Sequence, residues 1–278
     1  MDLIALRRRV ARTPLAPVAA FPVRFAAVAR HDARVVGRSA RWLAGSREHT
    51  NFTYDLTPRN LEHMAWWLSG ITGEPVQQSR AYIAEVLHDD ELREHVRTAT
   101  ADSSRRGLAD RTVRFGRRVG WYALVRSLRP ERVVETGTDK GLGSVVLAAA
   151  LLRNGAGRLT TIDVNEESGY LVTGRYGTVV DRVVGDSVTE IGRLDGGVDV
   201  FLHDSLHTFE YETAEFAAVE PLLRPGAVVL SDNAHDSDAL STWAEATGRS
   251  FSFFDERPAG HWYPGDGIGA AWRPADSA

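Results

Sequence analysis

The stretch FLHDSLHTFEYE, Phe201 to Glu212, places an aspartate, a serine and two histidines at the end of an apolar run. Side chains of these types, so spaced, can hold a metal ion, move a proton or cap the next helix. His203 and His207 carry imidazoles that titrate near neutral pH, and Asp204 carries a carboxylate. An acid and an amide, Asp232 and Asn233, follow a second apolar run with His235 beside them. Imidazole ligands from His203 or His235 would favour a transition metal. As caps, Asp204, Ser205 and Thr208 would receive the first amides of a helix beginning near Phe209, with Glu210 and Glu212 favoured in its first turn. Asp232 and Asn233 would then form an Asx turn. The stretch by itself leaves these readings open.

A second constellation is VVETGTDKGLGS, Val133 to Ser144, where Gly137 and Gly141 follow Glu135 and a helix begins at once. Glycines let a backbone turn tightly against a ligand, and a helix N-terminus favours an electronegative group. Asp163 ends another apolar run 28 residues after Glu135. An acid there can accept two hydrogen bonds from ribose hydroxyls, which points to an adenosine-containing cofactor. A dinucleotide turn would carry a close-approach glycine two residues after its first, and here that position is Asp139. An acid in the turn repels a pyrophosphate but tolerates a zwitterion, which disfavours a nicotinamide and favours S-adenosylmethionine.

These residues need elements to hold them. The runs RVVET (132–136), RLTTID (158–163), TVVDRVV (178–184), VDVFLHD (198–204) and AVVLSD (227–232) are apolar and β-branched, with helical patterns between them. That alternation predicts a doubly wound, mostly parallel sheet covered on both faces, with ligands beyond the carboxyl ends of its strands. SFSFFDERP and GIGAAW have no helix between them and are expected to pair antiparallel. Residues 57–110 read as helical, with Thr57-Pro58 starting a helix that the glycine at 70 is expected to stop. Three divisions follow: a basic segment at 1–46, a helical appendage or lid at 47–112, and the sheet domain at 113–278. In the first, the prolines argue against one long continuous helix.

VVETGTDKG, TTIDVN, VVGDS, VFLHDSLHTFEYE and LLRPGAVVLSDNAH resemble the successive motifs of class I S-adenosylmethionine-dependent methyltransferases. The spacing E-x-G-x-x-x-G is similar to the catechol-type O-methyltransferase subgroup. The resemblance covers about residues 113–273. It implies a seven-stranded Rossmann-like sheet with an antiparallel end. It also implies that Glu135, Gly137, Thr138 and Gly141 line the amino-acid part of the cofactor, that Asp163 holds the ribose, and that Asp186 lies beside the adenine. The subgroup holds a magnesium ion, which here would fall to Asp204, Asp232 and Asn233, oxygen donors suited to that ion. Asp204 would also touch the cofactor. A lysine base three residues after the strand-four aspartate is replaced here by His207, so His207 and Asp204 are the expected catalytic pair.

The resulting expectation is a cytoplasmic O-methyltransferase of bacterial, GC-rich origin acting on a small molecule such as a natural-product intermediate, a sugar or a catechol-like ring. The alternatives are a metal-independent enzyme of the same fold with His207 as base, and a non-catalytic cofactor-binding scaffold. The net charge of −4 gives no reason to expect nucleic acid or membrane as partner, and the absence of cysteine removes thiolate chemistry. Only Lys140 among 33 basic residues is a lysine, which is the ground for the GC-rich source. The early apolar residues are interrupted by Arg12, Pro14, Pro17, Pro22 and Arg24, unlike a secretory signal. A homodimer through the N-terminal helices is one arrangement the basic segment allows. The aromatics His261, Trp262 and Tyr263 are expected to wall the substrate pocket, and residues 49–58 to close over the cofactor.

Overall fold

A computed structural model describes residues 11–14 and 16–273 of the 278-residue chain, so the first ten residues of the predicted basic segment and the last five of the chain lie outside it. The described residues form two compact units. The first holds helix α1, Ala16–Gly45, together with residues 260–263. Contrary to expectation, α1 is continuous for 30 residues with Pro22 inside it. Pro17 sits in the first turn, where no N–H is needed, and Pro22 removes only one backbone bond, a loss of about 3 kcal/mol that a long helix survives. Trp42 packs its ring 5.4 Å from Trp262, and Arg38 Nη1 donates to the His261 carbonyl at 3.2 Å.

The second unit spans residues 47–259 and 264–273, with no division near residue 112. Helices α2 (Pro58–Thr72), α3 (Val76–Leu87), α4 (Asp90–Asp102) and α5 (Arg118–Leu128) precede the sheet. Thr57 caps α2 by accepting the Asn60 amide. The helix continues past Gly70, because Ile71 is buried in the next turn, and ends at Gly73, whose φ of 72° supplies the left-handed stop.

Strands β1 (Arg132–Thr136), β2 (Arg158–Asp163), β3 (Val180–Val184), β4 (Val198–His203), β5 (Leu223–Ser231), β6 (Ser250–Asp255) and β7 (Gly267–Trp272) form one sheet in the order β3-β2-β1-β4-β5-β7-β6. The first five are parallel, and β7 runs antiparallel between β5 and β6, as its sequence predicts. Between the strands lie α6 (Leu142–Asn154), α7 (Gly174–Gly177), α8 (Ser187–Ile191), α9 (Phe209–Val219) and α10 (Ala239–Ala246). Val134, Phe201 and Val229 stand side by side across three strands and meet Phe216 and Trp243 from α9 and α10 in the core. The Phe201 and Phe216 rings meet edge to face at 6.4 Å, an arrangement aromatic pairs favour.

Register matters most for the site. Thr136 is level with Ile162 and His203, and His203 with Ser231. Parallel strands in this register bring the loops after β1, β2, β4 and β5 to one edge of the sheet. Among the described residues no helix is long and apolar enough to cross a membrane.

Candidate active site

Those loops enclose a cleft of about 620 Å³. Gly137, Thr138, Asp139 and Lys140 line it from the loop after β1, Asp163 to Asn165 from that after β2, Gly185 and Ser187 from that after β3, Asp204 to His207 from that after β4, and Asn233 from that after β5. Asn51, Arg117, Arg118 and Tyr211 complete the wall with others. Gly137 has φ 85°, and a Cβ there would lie 1.9 Å from the Asp204 carbonyl oxygen, so only glycine lets these two loops touch. Gly141 has φ 89° and faces Val172 and Gly169 rather than the cleft, so it is a packing glycine at the start of α6.

Asp163 accepts the Asp139 amide on Oδ2 and the Asn165 amide on Oδ1, both at 2.8 Å. That rigid placement leaves further lone pairs of each oxygen for hydroxyls in the cleft. Glu135, expected in the cofactor wall, lies beneath the floor: it is buried, and Ser144 and Thr161 donate to its Oε2. Burial pushes its carboxyl up to about 7 against those two bonds. The chain turns away after β1, so the strand's last inward acid braces α6 and β2 instead. Asp186 is exposed at the cleft's margin, capping α8 through the Thr189 amide and accepting from Tyr211 Oη at 2.8 Å. The Thr189 amide bond chiefly holds its pKa below the usual carboxylate value.

Asp204 and Asp232 do meet, and their oxygens come within 4.8 Å of a His207 ring nitrogen. Arg117 changes what that means. Its Nε and Nη2 contact the two oxygens of Asp232, and its Nη1 reaches Asp266 at 3.2 Å and Glu256 at 3.8 Å. All four groups are buried or nearly so. Burial opposes ionisation of Asp232, but Arg117 overrides it and keeps its pKa low. Asp204 is driven the other way, first by burial and then by the Asp232 charge, so its pKa is raised. Tyr54 donates to Glu256 at 2.9 Å, and burial lifts Glu256 to about 7.

The donor set expected for magnesium therefore does not fit the ion. Of its two carboxyls, Asp232 already has a guanidinium across both oxygens, and burial together with the Asp232 charge disfavours ionisation of Asp204. Divalent ions need charged oxygen donors free to coordinate, and a second cation beside Arg117 would be repelled. Asn233, at φ 52°, lines the cleft with its Oδ1 unpaired, so it is free to accept from a ligand.

His207 stands at the cleft with its Nε2 3.8 Å from Asp204 and its Nδ1 3.9 Å from Glu212 Oε1. Burial, and then the nearby His203, lower its pKa, so the ring is neutral at pH 7. Behind it His203 is fully buried, 2.6 Å from Glu215 through Nδ1 and 3.5 Å from Glu212 through Nε2. Burial resists a charge on His203, yet the contacts with Glu212 and Glu215 prevail and raise it to about 9. His203 is therefore held between two carboxyls, and its Nε2 also lies with His207 Nδ1 and Glu212 Oε1 in a cluster whose ligand atoms fall within 4.8 Å of one another. His235 turns to Asp236 and Asp266 and does not line the cleft.

Arg117 and Arg118 escape sequence reasoning altogether, although the buried doublet in FGRRVGW is a visible oddity. Arg118 is 9% exposed, lies over the Trp121 ring, lines the cleft and has no ion-pair partner among the described residues. Of residues 49–58 only Asn51 lines the cleft, donating to Asp139 Oδ2 at 3.0 Å, while Tyr54 and Leu56 are core. His261 and Trp262, expected in the pocket wall, belong with Trp42 in the first unit.

Residues 134–234 match the model of a methyltransferase domain. The chain is similar in structure to the O-methyltransferase TomG from Streptomyces achromogenes, described as involved in tomaymycin synthesis and solved with S-adenosylmethionine: 23% identity, 67% of this chain and 91% of that one, TM-score 0.51. An O-methyltransferase from Bacillus cereus, solved with S-adenosylhomocysteine, is 20% identical over 69% of this chain and 96% of that one, TM-score 0.51. No curated protein matches the sequence. The fold is the one these methyltransferases share, and the matched methyltransferase domain runs from β1 through the second, third and fourth strands to the loop after β5. Its sheet is the class I one, seven strands with an antiparallel end.

Proposed function

We propose that the protein methylates a hydroxyl of a small molecule, a natural-product intermediate, a sugar or a catechol-like ring, without a metal ion and with His207 as base. Bound S-adenosylmethionine supplies an electrophilic methyl carbon. The observation that carries the reading is the His207 ring at the cleft, its pKa lowered by burial, with the buried Glu212 carboxyl at Nδ1 and the half-buried Asp204 carboxyl at Nε2.

The chain's residues divide the work. Arg118, a buried guanidinium with no ion pair among the described residues, meets the carboxylate of the cofactor's amino-acid part, since a buried cation is stabilised by a close counter-charge. Asp163 receives the ribose hydroxyls. Glu212 faces His207 Nδ1 and favours the tautomer with its proton there, leaving Nε2 as the acceptor toward the cleft. Nε2 takes the substrate's hydroxyl proton as that oxygen forms its bond to the methyl carbon and the carbon–sulfur bond breaks, its electron pair staying on sulfur. Asp204, whose pKa burial and the Asp232 charge raise, faces the same cleft beside His207 Nε2. Asn233 Oδ1 accepts from a neighbouring hydroxyl. A cytoplasmic location goes with this donor.

Calorimetry of chelator-treated protein with S-adenosylhomocysteine tests the cofactor assignment. Micromolar binding that weakens tenfold or more in Arg118→Met and Asp163→Ala is expected, and absence of binding to folded wild type would overturn it. A magnesium requirement for turnover, or magnesium binding that disappears in Asp232→Asn, would return the site to the metal-dependent reading.

A further inference from the structure

Helix α1 is long and continuous, and none of its 30 residues is buried. Val18, Phe21, Phe25, Val28, Val36 and Leu43 are 59 to 73% exposed, and the Phe21 and Phe25 rings stack on each other at 6.1 Å. At about 100° per residue these six fall within an arc of roughly 80°. Arg30, Arg34, Arg38 and Arg41 fall within another arc of roughly 80°, centred about 160° from the first, with Arg24 at the border between them and Val23, 70% exposed, inside the basic arc. Asp32 interrupts the apolar arc and contacts the His31 ring at 3.2 Å, so the stripe is cleanest from Val18 to Val28. Charge is divided in the same sense along the chain. Residues 1–46 carry nine arginines and two aspartates, a net +7, whereas the remainder, with 24 basic and 35 acidic residues, is at −11.

A second copy of the chain would cover the apolar arc but would bring two strongly basic helices together, which like-charge repulsion opposes. A nucleic acid would satisfy the arginines and leave the aromatic stripe in water. One surface answers both arcs: an anionic bilayer, where apolar side chains enter the acyl boundary and arginines meet lipid phosphates. We infer that α1 is an in-plane membrane helix that docks this enzyme on anionic lipid. The helix lies on the surface and does not span it. The expectation of no membrane partner rested on the chain's total charge, which hides the division, and on prolines through which α1 nevertheless continues.

The test is co-sedimentation of the full-length protein with vesicles of phosphatidylcholine alone and of phosphatidylcholine mixed with phosphatidylglycerol, an anionic lipid. Binding to the anionic vesicles at least tenfold stronger than to neutral ones is expected, falling as salt is raised. Phe21→Ser with Phe25→Ser, and separately Arg30→Gln with Arg34→Gln, should each reduce it tenfold or more. Both double variants should bind S-adenosylhomocysteine as the wild type does, which shows that they fold. No binding, or equal binding to both vesicles, overturns the inference. So does light scattering that shows a dimer in wild type and a monomer in the phenylalanine variant, since the stripe would then be a contact between copies.

Discussion

Arg117 decides the chemistry of the site more than any acid there. It faces Asp232, Asp266 and Glu256 together, and removing it would leave buried carboxylates without a counter-charge. Arg117→Met should destabilise the fold by about 3–5 kcal/mol, read by urea denaturation. The same variant vacates the place of a cation, so manganese should give a binding heat in Arg117→Met and none in wild type. His207→Gln should lower kcat by about 10²- to 10⁴-fold and leave S-adenosylhomocysteine affinity unchanged. In wild type the acid limb of the rate profile should lie below the ordinary imidazole pKa, because burial and His203 disfavour the charged ring. The acids of this site are visible in the sequence as the residues after apolar runs. Arg117 is not, for it meets Asp232 across 115 residues of chain and no local pattern records that pairing.

Elements were legible where period and punctuation agree. The five parallel strands and the antiparallel end can be read from β-branched runs, and Thr57-Pro58 from its capping chemistry. Two signals misled for a physical reason. Gly70 is a glycine within a helix whose next turn is buried, and Pro22 costs one bond in a helix of eight turns. The helix–sheet core depends on side chains that neither signal touches. Phe216→Ala, which empties the space between Phe201 and Trp243, should cost about 3–5 kcal/mol by the same denaturation measurement.

At the scale of the molecule, stability should report His203. Its pKa is raised from 6.5 to about 9, so folding binds its proton more tightly than the unfolded chain does. That contribution is complete below 6.5 and is lost as pH rises through 9, at up to ~1.4 kcal/mol per pH unit. The Tm should therefore fall across this window, and the slope should flatten in His203→Asn. The protein's division into a basic segment and an acidic body was legible in the residue count, but the face it gives α1 needed the helix to be seen as continuous.

The close approach of Gly137 to the Asp204 carbonyl has a consequence for the order of events. The turn that receives the methyl donor and the loop that carries the base have no slack between them, so ordering one orders the other. Occupancy at one end is then felt at the other as a coupling free energy, and that coupling is reciprocal. Whatever factor the donor adds to acceptor affinity, the acceptor must return to the donor, and loosening the contact with Gly137→Ala should bring both factors toward one together.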